Sequence, residues 1–112
     1  MATYKAVLDS NLINGEPDGT ITVTEGVNTF PGVVDIFRTD RGVYEVRLPA
    51  TYAYGSVNAT IRTKDRGWDC DVFHQETSPS LMLRTWKRIP DGIADTEDGG
   101  LANAHLIIFA NE

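Results

Sequence analysis

Between Val43 and Leu48 the side chains alternate with a strict period of two. Tyr44, Val46 and Leu48 fall on one side, and Val43, Glu45 and Arg47 on the other. That period belongs to an extended strand with one buried face, whereas a helix repeats its apolar positions every three to four residues. The pattern recurs at Thr20–Glu25, where Ile21 and Val23 oppose Thr20, Thr22 and Thr24. It recurs again at Ser56–Lys64, with Val57, Ala59 and Ile61 against Asn58, Thr60 and Arg62. Further strands are predicted at Thr3–Asp9, Val33–Arg38, Trp68–His74, Leu81–Lys87 and Ala104–Ala110. No stretch of a dozen residues carries the helical period, and Ile93–Asp98 has room for one acidic turn only.

Turn chemistry separates these segments. Asn14-Gly15 and Asp18-Gly19 lie between the first two strands, and Ser78-Pro79-Ser80 precedes the seventh. Asp91-Gly92 and Gly99-Gly100 bracket a loop before the last strand. Asp40-Arg41-Gly42 and Asp65-Arg66-Gly67 read as hairpin turns with glycine at a positive φ. Pro31, Pro49, Pro79 and Pro90 are expected at strand ends, where a missing N–H costs nothing. Eight short strands in 112 residues predict an all-β fold, an antiparallel β-sandwich of jelly-roll or immunoglobulin-like type. Residues 1–112 read as one domain, with residues 1–19 a candidate N-terminal arm and turn-rich loop that lets the first strand reach a neighbour.

Charge narrows the partners. Ten basic residues stand against 16 acidic ones, a net charge of −6. Nucleic-acid binding rests on neutralising phosphates, so it is not expected, and neither is docking to anionic lipid. No apolar run approaches the roughly 18 residues of a membrane helix. No signal peptide is visible at Met1–Asp9, which implies synthesis and folding inside a cell. Cys70 is the single cysteine, so an intrachain disulfide is impossible and a cysteine-based zinc site lacks ligands.

No catalytic constellation stands out. Nucleophile elbow, phosphate loop, dinucleotide fingerprint and zinc-protease motif are all missing from the sequence. The acidic run Asp91, Asp95, Glu97 and Asp98 could in principle hold calcium, but its spacing is not that of an EF-hand, and a solvated loop accounts for it. Asp69 and Asp71 share one strand face, as paired glycosidase carboxylates can, or simply as an outward polar face opposite Cys70 and Val72. Cys70 and His74 sit four apart on a strand, about 13 Å, too far for a catalytic pair. Cys70 reads as a small core residue, and His74 and His105 as partly buried histidines or pH-sensitive interface groups. No catalytic residue, cofactor or metal is expected.

Aromatic and apolar residues carry the functional reading. Tyr52 and Tyr54 fall in the expected loop Pro49–Gly55, and Trp68 and Trp86 at strand edges beside Arg66 and Lys87. Such rings are either core residues or binding anchors, the latter for proteins or sugars. Leu106-Ile107-Ile108-Phe109 is apolar on both faces, as is Val33-Val34 with Ile36-Phe37. One face of each strand should turn polar in a lone two-layer sandwich, so the surplus implies cover from a loop or from a second subunit. Tyr52, Tyr54, Trp86, Ile107 and Phe109 are therefore the candidate interface or ligand contacts.

The order of three segments resembles small β-sandwich proteins of tailed-bacteriophage virions, of capsid-decoration or fibre-tip type. They are Gly42-Val43-Tyr44-Glu45-Val46-Arg47-Leu48-Pro49, then Leu83-Arg84-Thr85-Trp86 with the loop Gly92-Ile93-Ala94-Asp95-Thr96, and His105-Leu106-Ile107-Ile108-Phe109. The likeness is one of rhythm, spans about Val33 to Ala110, and transfers no site residue. It implies a non-enzymatic virion protein, made in the host cytoplasm, that forms a homotrimer or other homo-oligomer. Its partner would be the major capsid protein or a fibre component. The sequence holds no fibrous shaft or coiled coil, which favours a capsid decoration (cement) protein that stabilises the shell. A fibre-tip receptor- or carbohydrate-binding domain is the alternative.

Overall fold

The computed structural model describes residues 3–12, 21–63, 67–89, 96, 101 and 104–112. They form eight strands: β1 (Thr3–Leu12), β2 (Ile21–Asn28), β3 (Asp35–Asp40), β4 (Val43–Tyr52), β5 (Val57–Thr63), β6 (Trp68–His74), β7 (Ser78–Lys87) and β8 (Ala104–Asn111). Two four-stranded sheets result, ordered β2-β1-β8-β5 and β3-β4-β7-β6, and all paired neighbours run antiparallel. The hairpins β1–β2, β3–β4 and β6–β7 stay within one sheet, and the other connections cross between sheets. The architecture is the expected all-β antiparallel sandwich of eight strands. β1 lies between β2 and β8 in the chain's own sheet, the position that an exchanged arm would have to fill.

Alternation decides what each strand buries. In β4, Tyr44, Val46 and Leu48 are all buried, as the period of two predicts. Cross-strand register then stacks core residues in rows. Ile36, Val46 and Leu81 align across the second sheet, and so do Tyr44 and Leu83. In the first sheet Leu8, Leu106 and Ile61 align, with Ala6, Ile108 and Ala59 beside them. The two inner faces meet as one core that Leu101, from the segment before β8, also enters. Removing a buried leucine side chain from such a row costs about 2–5 kcal/mol through lost transfer energy and the cavity left behind.

One end of the sandwich is closed by aromatic rings. Tyr4, Phe30 and Tyr52 pack with centroids 5.5, 6.4 and 5.9 Å apart. The Tyr4 hydroxyl donates to Glu112 Oε2 at 2.5 Å, which ties the chain's last residue to this end.

The strands run further than the sequence predicts at two prolines. Tyr52 is the last residue of β4 rather than part of a loop, and Ser78-Pro79-Ser80 opens β7 rather than preceding it. Both prolines are tolerated because the β4–β7 ladder breaks there. Its register shifts between Arg47 and Tyr52, so Pro49 has no partner, and Pro79 lies between the paired Ser78 and Ser80. Gly42 has the anticipated positive φ, 67°, at the β3–β4 turn. Gly26 supplies a bulge that was not anticipated: β1 continues Val7 to Leu8 while β2 steps from Val27 to Glu25. Asn14-Gly15, Asp18-Gly19, Asp65-Arg66, Pro90 and the 91–95 and 97–100 stretches of the acidic loop lie outside the described residues.

Candidate functional site

The outer face of the second sheet is built from the residues that alternation leaves over. Phe37, Glu45, Met82 and Phe73 form one continuous row across all four strands. Both phenylalanines are 43% exposed. A guanidinium lies over each ring: that of Arg47 is 5.3 Å from the Phe37 centroid, and that of Arg84 is 5.3 Å from both Phe73 and Trp86. A cation over a ring is worth about 0.5–1 kcal/mol at an exposed site.

Carboxylates hold these cations in place. Arg84 is forked onto Asp71 at 3.2 and 2.8 Å, and Arg47 contacts Glu45 at 2.9 Å. Ser80 Oγ donates to the same Glu45 carboxylate at 3.0 Å. At the end of the sheet Arg88 is forked onto Asp69 at 3.0 and 2.6 Å. Hydrogen bonding from Arg88 holds the Asp69 carboxyl below its ordinary range, and Asp71 raises the Arg84 guanidinium above its own. Asp69 and Asp71 thus point outward, each spent on an arginine, with Phe73 on their side of β6. Cys70 and Val72 take the other side of the strand and are half-buried.

The outer face of the first sheet has an apolar row of its own. Val27, Val7 and Ile107 align, with Thr60 beyond them. Phe109, 41% exposed, lies in the next row, and Lys5 Nζ sits 5.4 Å over its ring. On the far side of the valines, His105 Nδ1 meets Asp9 at 2.5 Å, and Arg62 is the cross-strand neighbour of His105. Because Leu106, Ile108 and Ala110 fill the core, Ile107 and Phe109 can only face out, which is where the surplus apolar character of β8 goes.

The five sequence-predicted contacts divide among separate places. Ile107 and Phe109 share the first sheet's outer face. Trp86 belongs to the second sheet's outer face. Tyr52 is buried in the aromatic end of the core, and Tyr54 is 75% exposed in the turn that follows. Trp86 lies eight residues along β7 from Ser78, which pairs with Tyr52, so about 26 Å separates them. Tyr52, Tyr54 and Trp86 therefore form no common surface. Trp68 is half-buried at the start of β6.

Tyr54 instead borders an open groove of about 540 Å³ that Phe73, His74, Gln75, Glu76, Thr77 and Ser78 complete. His74 Nε2 is 2.9 Å from the Ser78 carbonyl, which fixes the ring across the β6–β7 turn. Among the described residues no cluster of three or more His, Cys, Asp or Glu could hold a metal ion. No helix among the described residues is long and apolar enough to cross a membrane.

Phe37 belongs to the surplus apolar run Val33-Val34 with Ile36-Phe37, whereas Arg47, Phe73, Met82 and Arg84 were not anticipated as its neighbours. A partial signal exists in Leu83-Arg84-Thr85-Trp86, whose alternation puts Arg84 and Trp86 on one face. Phe37 meets Arg47, and Phe73 meets Arg84, only through strand pairing. Comparison with protein-family models, curated proteins and solved structures finds no match for this chain.

Proposed function

We propose that this protein is a non-catalytic structural domain that acts as a building block of a larger assembly. Copies associate through the outer face of the first sheet, and the arginine-aromatic face of the second sheet meets a partner subunit. A capsid decoration protein of a bacteriophage virion is the specific form of this reading. The observation that carries it is the placement of Val27, Ile107, Phe109, Phe37 and Phe73 on outer faces, where cross-strand neighbours and arginine or lysine side chains cover them only in part. Interface cores are enriched in aromatic residues, Met and Arg, and the row Phe37, Met82 and Phe73 with Arg47 and Arg84 has that composition. The first sheet's patch is bordered by Lys5 on one side and by Asp9 and His105 on the other. A surface bordered by both signs can be complementary to itself, as a two-fold contact requires.

Light scattering on the purified chain, with co-sedimentation on expanded phage shells, tests the proposal. The expected result is a mass of several chains and retention on shells. A single-chain mass at high concentration with no retention overturns it.

A further inference from the structure

We infer that the groove between the β4–β5 turn and the β6–β7 hairpin is a binding site for a neutral saccharide. Its volume, about 540 Å³, lies within the range of small-molecule sites. Two aromatic rings border it: Tyr54, the most exposed large hydrophobic among the described residues, and Phe73, which carries Arg84 over its ring. Flat rings of this kind offer an apolar face to the C–H surface of a sugar.

The polar groups around the rings are set out for hydroxyls. Some already serve the turn. Thr77 Oγ1 accepts from Tyr54 N at 3.1 Å, which docks one turn onto the other, and Ser78 Oγ donates to the Gln75 carbonyl at 2.5 Å. The Gln75 amide and the Glu76 carboxylate make no side-chain hydrogen bond among the described residues, so donor and acceptor capacity is left over at the groove. His74 also lines it, with its Nε2 already held at the Ser78 carbonyl, 2.9 Å away.

Backbone geometry adds an independent sign. Glu76 has φ 48°, the only positive value for a non-glycine residue among the described residues. A left-handed conformation costs a residue with a β-carbon roughly 1 kcal/mol or more, and such residues cluster at ligand sites. The lining also sets ligand charge. It holds one carboxylate and no lysine or arginine, and the neighbouring Arg84 is engaged by Asp71. Phosphate, sulfate and acidic sugars are therefore disfavoured. An uncharged, hydroxyl-rich ring such as a hexose or N-acetylhexosamine fits the chemistry.

An array of neutral and acidic oligosaccharides, read with the intact chain, tests the inference. Retention of neutral glycans is expected, falling about tenfold in Tyr54→Ala and Phe73→Ala, the loss of one stacking contact each. Glu76→Gly separates binding from folding, since it relieves the strained φ and removes the carboxylate. It should unfold no earlier than the parent while binding more weakly. No retention of any neutral glycan, retention of acidic glycans alone, or neutral binding unchanged in all three variants overturns the assignment.

Discussion

Arg84 lies over the ring of Phe73, its guanidinium carbon 5.3 Å from the ring centroid, and at the same distance over Trp86. One side chain thus links β6 and β7 on the exposed side of the second sheet, with Asp71 fixing its orientation. Arg84→Ala removes the ion pair and both ring contacts together. All the groups involved are part-exposed, so solvent screens the charge component, and the expected loss is about 1 kcal/mol. In a domain of this size that is a drop of several degrees in Tm. Arg84→Lys keeps the charge but loses the fork onto Asp71, and should recover less than half of the loss. Thermal unfolding of the two variants beside the parent checks both statements.

Gly32 is required by crowding, not by its backbone angles. A β-carbon built there would lie 2.7 Å from Pro49 Cβ, which no ordinary contact permits. Asn28 Nδ2 donates to the Gly32 carbonyl at 3.1 Å, so the loop cannot drift away freely. Gly32→Ala should destabilise by about 1–3 kcal/mol, as overpacking does elsewhere. Gly55, with φ 88° and nothing within 4 Å, should respond to alanine by strain alone, at about 1 kcal/mol. Pairing Gly32→Ala with Pro49→Gly distinguishes the two causes, because only the first loss should shrink in the double variant.

Cys70 should be a poor nucleophile at neutral pH. Burial pushes its thiol up from 9.0 to about 11, with Asp69 and Asp71 adding to the effect. At pH 8 only about one molecule in a thousand then carries the thiolate, the reactive form. Labelling by an aromatic disulfide reagent should be slow in the folded protein and fast in urea. The sign for stability follows from the raised value. The folded state favours the protonated thiol, so this contribution is complete below pH 9 and is lost as pH rises toward 11. Cys70→Ala should flatten that alkaline decline in a series of urea titrations.

The sandwich was legible from alternation because one face of each strand is buried. All eight strands appear, and Trp68–His74 has the same bounds in sequence and structure. Tyr52 was misassigned to a loop because Pro49 and Gly55 punctuate that stretch, while the broken register after Arg47 that lets a strand pass through Pro49 is a property of β7 as well. The surplus apolar residues were readable on β8, where Ile107 and Phe109 alternate with Leu106 and Ile108. The second sheet's surface was readable only at Phe37, which alternates with the buried Ile36; its row with Phe73 was not, since the two come 36 positions apart and are joined only by β4 and β7 between them. The groove at Tyr54 was half readable: its exposed tyrosine stands out, but Phe73 reaches it from a different hairpin.

The two outer faces make separable predictions about assembly. Phe109 lies beside Lys5 in the cross-strand register, so Phe109→Glu replaces an exposed ring with a carboxylate opposite an ammonium. A cross-strand opposite-charge pair offsets part of the lost packing, and the fold should weaken by no more than about 1 kcal/mol. Association through the first sheet should nevertheless fail, because the charge lands in the middle of the contact and must be desolvated without a partner. Phe37→Glu on the opposite face should leave the solution mass unchanged and weaken capture by the partner shell. It places a second carboxylate beside Glu45, and so repels what the arginine-aromatic row attracts. Light scattering and shell co-sedimentation on the same two variants read these effects independently. A mass that falls with Phe37→Glu and holds with Phe109→Glu would reverse the assignment of the faces.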